Sequence, residues 1–118
     1  MSDDIIDLPE VLERVQDDKE LLLELFDIFE DDFQKKRQEL KGAVSAGDFA
    51  KIKETAHAMK GSSGNLSAKP MYAACVQLEQ MAKSNSTIGM ADLIKTIDGQ
   101  FEQVKIFAAR LKKQWTGG

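Results

Sequence analysis

The sequence predicts an all-α fold, namely an antiparallel up-down-up-down four-helix bundle with a short additional helix at its N-terminus. Apolar residues recur at intervals of three and four along most of the 118 residues, which is the period of an amphipathic helix. The chain has only two prolines and one tyrosine, and few runs of β-branched residues, which argues against an all-β fold. Four long amphipathic segments with short breaks bury their apolar faces most simply against one another, so a bundle is favoured.

The N-terminal part of the chain is predicted to hold a loose segment followed by a short helix. Residues 1–8 are acidic and expected to be loose, although their isoleucines and leucine can pack locally. Pro9 suits the first turn of a helix over residues 9–16, because backbone N–H groups there have no acceptor within the helix. Asp7 is a suitable cap for this helix.

The next predicted helix begins the bundle, which is expected to span residues 18–115. Asp17 or Asp18 can cap its start, and Gly47 ends it. A basic triplet at residues 35–37 interrupts the apolar stripe of this helix. The triplet is explained by exposure of that face to solvent. The alternative is that it forms a basic surface for an acidic partner. The stripe itself consists of Leu22, Leu25, Phe26, Phe29, Phe33, Leu40 and Val44.

Two further helices follow in the middle of the chain. Asp48 can cap the first of them, which is predicted to run to about Asn65. Ser67 can cap the second, and Pro70 fits within its first turn.

The last helix follows a turn-rich break at residues 84–87 and precedes a predicted tail at residues 116–118. Its apolar residues alternate strictly between spacings of four and three, which is typical of the buried seam of a bundle. They are Met90, Ile94, Ile97, Phe101, Val104, Ala108, Leu111 and Trp115.

Charge is distributed unevenly along the chain, whose formal net charge is −4. Residues 1–32 hold thirteen acidic side chains against two basic ones, whereas the remaining residues hold fourteen basic against seven acidic. The basic residues are spread over several helices without interleaved aromatics, so nucleic-acid binding is not expected. No apolar run approaches the ~20 residues that span a bilayer, and the acidic N-terminus is unlike a signal peptide. We therefore expect a cytoplasmic protein with no membrane contact. A single cysteine, Cys75, fits a reducing compartment and lies on an apolar stripe.

The only histidine, His57, stands out as the candidate functional residue. On a helix, Lys53, Lys60, Gly61 and Gly64 fall within roughly 60° of His57, while the apolar residues of this segment point away from it. Glycine inside a helix costs about 1 kcal/mol relative to alanine. Two glycines one turn apart on this face therefore suggest that a large partner approaches the imidazole closely.

The residues around this histidine resemble the histidine-containing phosphotransfer (Hpt) domain family of two-component phosphorelays. The family pattern is a histidine, a lysine three residues later, a glycine, small residues and a leucine; here these are His57, Lys60, Gly61, Ser62, Ser63 and Leu66. The family usually has glycine after the leucine, where this chain has Ser67. Comparable flanking residues extend the resemblance over roughly residues 21–83, including the Leu25–Phe29 segment with Phe33, the Ala46-Gly47-Asp48 turn, and Cys75 with Leu78-Glu79.

The resemblance implies a single Hpt domain over residues 1–118 that works as a phosphorelay intermediate. His57 would accept a phosphoryl group through Nε2 from a receiver-domain aspartyl phosphate, or from a (hybrid) histidine kinase, and pass it to another receiver. The chain would be a phosphoryl carrier without autokinase activity, not an enzyme. It would bind no cofactor itself, with Mg²⁺ expected on the partner receiver of the response regulator. We expect a monomer, and the initiator Met1 and compact length favour a stand-alone protein.

The same resemblance suggests roles for the residues near the histidine. Lys60 would stabilise phosphate and transition-state charge, while Lys53, Gly61, Gly64 and Ser62 would contact the partner. Instead of contacting a partner, Lys53 could be an ordinary solvated surface lysine. Gly64 could simply loosen the C-terminal end of the helix.

Glu79 is a candidate for orienting the imidazole. Turn counting on the next, antiparallel helix places it near the height of His57, where a carboxylate could accept from Nδ1–H and leave Nε2 free. The alternative is an ordinary exposed glutamate.

Two other functions compete with phosphotransfer. A helical adaptor could dock a response regulator or kinase through the acidic N-terminal helix without carrying phosphate. Metal binding is not expected, because the chain has no second histidine and Cys75 should be buried. The combination of His57 with Lys60 and Gly61 favours active transfer.

Overall fold

A computed structural model describes residues 4–116, and all regular structure within them is α-helical. The five helices are α1 Leu8–Arg14, α2 Lys19–Ala46, α3 Phe49–Asn65, α4 Lys69–Lys83 and α5 Met90–Thr116. The predicted all-α class is thus confirmed. Over the same residues, no helix is long and apolar enough to cross a membrane.

Three aspartates start helices, as the sequence predicts. Asp7, Asp18 and Asp48 each accept a hydrogen bond from the backbone N–H three residues later, at 3.2, 3.0 and 3.0 Å. These bonds satisfy amide groups that have no acceptor within the helix. Gly47 ends α2 in the left-handed conformation, with φ of 65°, which glycine adopts without strain.

The four long helices pack in a ring around one core. Helix α2 packs against α3 and α5, and α4 packs against the same two helices from the other side. The buried residues of α5 are the predicted seam from Met90 to Leu111, spaced by fours and threes. Phe33 of α2 stacks on Phe101 of α5 with ring centroids 4.1 Å apart. Trp115 is partly buried at the end of the seam, with the Lys19 ammonium 5.2 Å from its ring centroid.

The short helix α1 lies against the corner between α3 and α4. The backbone N–H of Asp7 donates to the carbonyl of Ser67 at 2.9 Å. The ammonium of Lys69 lies 3.0 Å from the carboxylates of both Asp7 and Glu10. These contacts hold α1 on the turn that follows the histidine helix.

Two sequence expectations about packing are wrong. Ile5 and Ile6 are buried in the core, so the N-terminal segment is packed from residue 5 onward; residues 1–3 lie outside the described part. In the last turn of α2 the buried residue is Ala43, and Val44 is exposed. The two positions are 100° apart on a helix, and neighbouring helices cover only the Ala43 side.

Ser67 does not cap α4, contrary to expectation. The residue preceding α4 is Ala68, which makes no side-chain cap bond. Ser67 itself is buried, has a left-handed backbone with φ of 56°, and donates its hydroxyl to Glu10 Oε1 at 2.8 Å. The tight turn between α3 and α4 requires this conformation, which side chains other than glycine adopt at a cost.

This turn makes a prediction about stability. Ser67→Gly and Ser67→Ala both remove the bond to Glu10, but only glycine relieves the left-handed strain. We expect the glycine variant to be more stable than the alanine variant by about 1 kcal/mol, measured by chemical denaturation. Equal stability of the two variants would show that the backbone at this turn carries no strain.

Candidate functional site

Helix α3 presents His57 on its outer ridge. The opposite face of the helix is buried through Ile52, Ala56 and Met59. Since the core fixes the rotation of the helix, the His57 side chain stands in solvent, with 67% of its surface exposed. The imidazole is therefore accessible to a large partner, as the sequence pattern predicts.

Glu79 of α4 contacts the Nδ1 side of the imidazole. Its Oε2 lies 3.1 Å from Nδ1 of His57, and its side chain is only 8% exposed. An ionised carboxylate can only accept hydrogen bonds, so Nδ1 must carry the hydrogen in this contact. In a neutral imidazole the lone pair is then on Nε2, the nitrogen that faces away from Glu79. The alternative of an ordinary exposed glutamate is wrong, because Glu79 is buried.

Lys60 keeps this buried carboxylate ionised. Its ammonium lies 2.8 Å from Oε1 of Glu79, so each carboxylate oxygen has one partner. The Lys60 ammonium, with a smaller contribution from His57, lowers the pKa of Glu79 against the opposing effect of burial. The same ion pair raises the pKa of Lys60. Lysine, glutamate and histidine thus form one connected cluster.

The two glycines of the histidine face differ in their surroundings. A side chain at Gly61 would project into open space. A β-carbon at Gly64 would lie 3.3 Å from the ring of Tyr72, so the missing side chain at Gly64 accommodates this chain's own tyrosine. Packing against Tyr72 therefore accounts for the missing side chain at Gly64, whereas Gly61 borders open space.

Lys53 and Ser62 lie on different sides of α3. Lys53 is exposed and makes no ion pair with any other residue in the 4–116 range. Ser62 faces α2, where its hydroxyl lies 3.4 Å from Asp32 Oδ2 and donates to the carbonyl of Ala58 at 3.2 Å. The structure therefore brings His57, Lys60 and Glu79 together, and places Ser62 on the neighbouring flank.

Sequence reasoning missed two features of this site. It assigned Lys60 and Glu79 separately to phosphate and imidazole, whereas the two side chains bind each other. It also did not include Tyr72, which is exposed and packs on Gly64. Lys60 and Glu79 have opposite charges and lie on facing sides of the adjacent helices α3 and α4. Turn counting on both helices could have suggested this ion pair. Across the described part of the chain, no three His, Cys, Asp or Glu residues cluster as metal ligands would.

Comparisons with known proteins agree with this architecture. A family model described as Hpt domain matches residues 24–107. The structure is similar to the crystal structure of histidine-containing phosphotransfer protein B (HptB) from Pseudomonas aeruginosa PAO1, with a TM-score of 0.86. The two chains are 26% identical, and the alignment covers 98% of this chain and 99% of that chain. A comparison with curated protein sequences gave no match.

The ion pair predicts that Lys60 contributes to stability in a pH-dependent way. Lys60→Ala leaves the Glu79 carboxylate buried without its cation, so we expect a lower melting temperature at neutral pH. Because the folded pKa of Glu79 is depressed, this stabilisation is fully present above the ordinary carboxyl pKa of 4.5 and is lost as pH falls through the folded value. The difference between wild type and variant should therefore shrink on acidification, as followed by thermal unfolding across that range.

Lys53→Ala is the matched control, since it removes an exposed lysine from the same helix. It should unfold like the wild type at every pH. Adding Glu79→Gln to Lys60→Ala should restore part of the lost stability at neutral pH. A pH-independent effect of Lys60→Ala would contradict the assignment to Glu79.

Proposed function

Because the chain belongs to the Hpt domain family, we propose that it is a phosphorelay intermediate in which His57 carries the phosphoryl group. The group arrives from a receiver-domain aspartyl phosphate, or from a histidine kinase, and leaves to another receiver. The observation that carries this proposal is the contact between buried Glu79 and Nδ1 of an otherwise exposed imidazole. That contact leaves Nε2 as the nucleophile.

The transfer step follows from this tautomer. The lone pair on Nε2 attacks phosphorus in line, forming a nitrogen–phosphorus bond as the bond from phosphorus to the aspartyl oxygen breaks. The aspartate leaves as a carboxylate with the electron pair of that bond. The ring becomes positively charged, because Nδ1 keeps its hydrogen while Nε2 has gained a bond. Glu79 lies against Nδ1 and stabilises this charge as it develops.

Lys60 has two roles in the proposed step. In the unphosphorylated chain it keeps Glu79 ionised through the 2.8 Å ion pair. It also lies one helical turn from His57, where its cation stabilises the phosphoryl oxygens during transfer. The step runs in reverse by the same contacts, so the chain acts as a carrier and is not itself a kinase.

The rest of the proposal concerns the context of this site. The receiver supplies Mg²⁺ and its own acidic pocket, and this chain binds no cofactor. Residues 1–118 form one domain that works as a cytoplasmic monomer, without nucleic-acid or membrane contact. The four long helices follow an antiparallel up-down-up-down order. Lys53, Gly61, Gly64 and Ser62 contribute to the surface that the partner covers.

A non-catalytic adaptor is the alternative function. Such a protein would dock a response regulator or kinase through its acidic N-terminal helix and would need no defined tautomer at His57. The burial of a charged glutamate beside the imidazole costs free energy that docking alone does not require. The carrier function is therefore favoured.

The first functional prediction is that His57 is the phosphorylation site. His57→Gln keeps a polar side chain of similar size on an exposed position, so the variant should fold like the wild type. It should take up no acid-labile phosphate from any phosphorylated receiver in a radiolabel assay. Acid-labile label on this variant would show that another residue carries the phosphoryl group.

A second prediction concerns access to the imidazole. Gly61→Gln places a side chain one turn from His57 in space that is now open, so transfer should fall by about tenfold or more. Stability should rise by roughly 0.5–1 kcal/mol, because glutamine favours helix over glycine.

Gly99→Gln in α5 is the matched control, since a side chain there also meets nothing within 4 Å. It should gain similar stability and transfer normally. Normal transfer by Gly61→Gln would mean that no partner surface comes close to this position.

A further inference from the structure

Helices α3 and α4 lie side by side and run in opposite directions, with a register that two contacts define. Nδ1 of His57 lies 3.1 Å from Oε2 of Glu79, and a β-carbon at Gly64 would lie 3.3 Å from the ring of Tyr72. Seven residues, close to two helical turns, separate the two contacts on each helix. The register is therefore constant along this groove and can be extended beyond the histidine.

One more turn of this register brings Lys53 of α3 opposite Lys83 of α4. Each lysine is four residues, or about 6 Å along the helix axis, from the level of the contact between His57 and Glu79. Both lysine side chains are exposed, and neither forms an ion pair with another residue in the described part of the chain. Two cations without a carboxylate partner therefore flank the groove one turn from the imidazole.

The cation on the other side of the imidazole is already engaged. The ammonium of Lys60 lies 2.8 Å from Oε1 of buried Glu79 and is needed there to keep that carboxylate paired. A phosphoryl group carries close to two negative charges at neutral pH, whereas Lys60 has one positive charge that it shares with Glu79. The exposed Glu54, next to Lys53 in the sequence, is paired with another lysine of α3 at 3.2 Å. The charges around His57 thus leave Lys53 and the lysine opposite it available for an anion.

From this arrangement we propose that Lys53 and Lys83 bind the phosphoryl group on Nε2 of His57, on the side of the imidazole away from Lys60. The inference rests on the proposed function and adds one residue of α4 to its site. Each ammonium stands on a flexible four-carbon stem, which can span the one-turn distance to the imidazole. With Lys60 on the other side, three cations then stabilise the phosphoryl charge in the adduct and in the transition state that forms it.

A helix-end role is the ordinary explanation for Lys83. It lies in the last turn of α4, where a cation interacts favourably with the free carbonyl groups of the helix. Helix α5 offers a matched comparison, because Lys113 is likewise an exposed lysine in the last turn. If the helix end were the whole explanation, removal of either lysine would have the same effect on the chemistry of His57.

The first test phosphorylates the purified chain with phosphoramidate, a small donor that needs no docking surface. Nε2 of His57 attacks its phosphorus, and the nitrogen of the donor leaves as ammonia. Lys53→Ala and Lys83→Ala should each slow labelling by about threefold, and the double variant by about tenfold. Lys113→Ala should be labelled at the wild-type rate. Lys83→Arg keeps the positive charge and should restore the rate.

Phosphorus NMR of the labelled chain then observes the bound phosphoryl group directly. A cation close to the phosphoryl oxygens favours the dianion, so the pKa of the phosphoryl group should be lowest in the wild type. This pKa should rise in Lys53→Ala and in Lys83→Ala and stay at the wild-type value in Lys113→Ala. Loss of a cation that acts only on a helix end would not move this titration.

Labelling of the double variant at the wild-type rate, or an unchanged phosphorus titration, would overturn the inference while leaving the carrier function intact. Normal labelling by phosphoramidate together with slow transfer from a receiver would also overturn it, because the two lysines would then contact the receiver and not the phosphoryl group. If neither phosphoramidate nor any phosphorylated receiver labels wild-type His57, the carrier function is refuted together with the site.

Discussion

The site depends on a carboxylate that is almost removed from water. Glu79 is buried on α4, and a buried charge is tolerated only when its oxygens are paired. Lys60 and His57 supply one partner each, at 2.8 and 3.1 Å. The apolar core places α3 and α4 against each other, and the pairing of Glu79 across them gives the imidazole a defined contact at Nδ1.

The rest of the bundle maintains this placement. The apolar face of α3 sets its rotation, so that His57 points outward, while the turn at Ser67 fixes where α4 begins. Helix α1 contacts that turn through Asp7 and Lys69. The opposite helix, α5, contributes the long apolar seam. The exposed imidazole is thus carried by a helix whose opposite face is buried, and its Nδ1 side contacts Glu79.

Much of the fold was accessible from the sequence, because periodicity and capping are local signals. The aspartate caps and the seam of α5 lie where the pattern puts them. Local packing of Ile5 and Ile6 was anticipated, but their burial in the main core was not, since a short apolar pair in an acidic segment shows no helical periodicity. Ser67 was wrongly predicted to cap α4 because serine is a frequent N-cap residue. Its left-handed backbone is instead set by the turn between α3 and α4.

The candidate site could be predicted only in part. A unique histidine, with a lysine and two glycines spaced on the same helix face, identifies the position of the candidate site. Turn counting correctly places Glu79 level with His57 on the neighbouring helix. The pairing of Lys60 with Glu79, and the packing of Tyr72 on Gly64, depend on distances between helices that a sequence does not contain.

The central claim is that Glu79 holds the hydrogen of His57 on Nδ1. Long-range proton–nitrogen NMR correlation of the wild-type chain, at a pH high enough to keep the imidazole neutral, observes the two ring nitrogens separately. The account predicts a protonated Nδ1 and an Nε2 with the shift of an unprotonated nitrogen, as the main tautomer. Neutral histidine free in water prefers the opposite tautomer, so a spectrum dominated by protonated Nε2 would contradict the account.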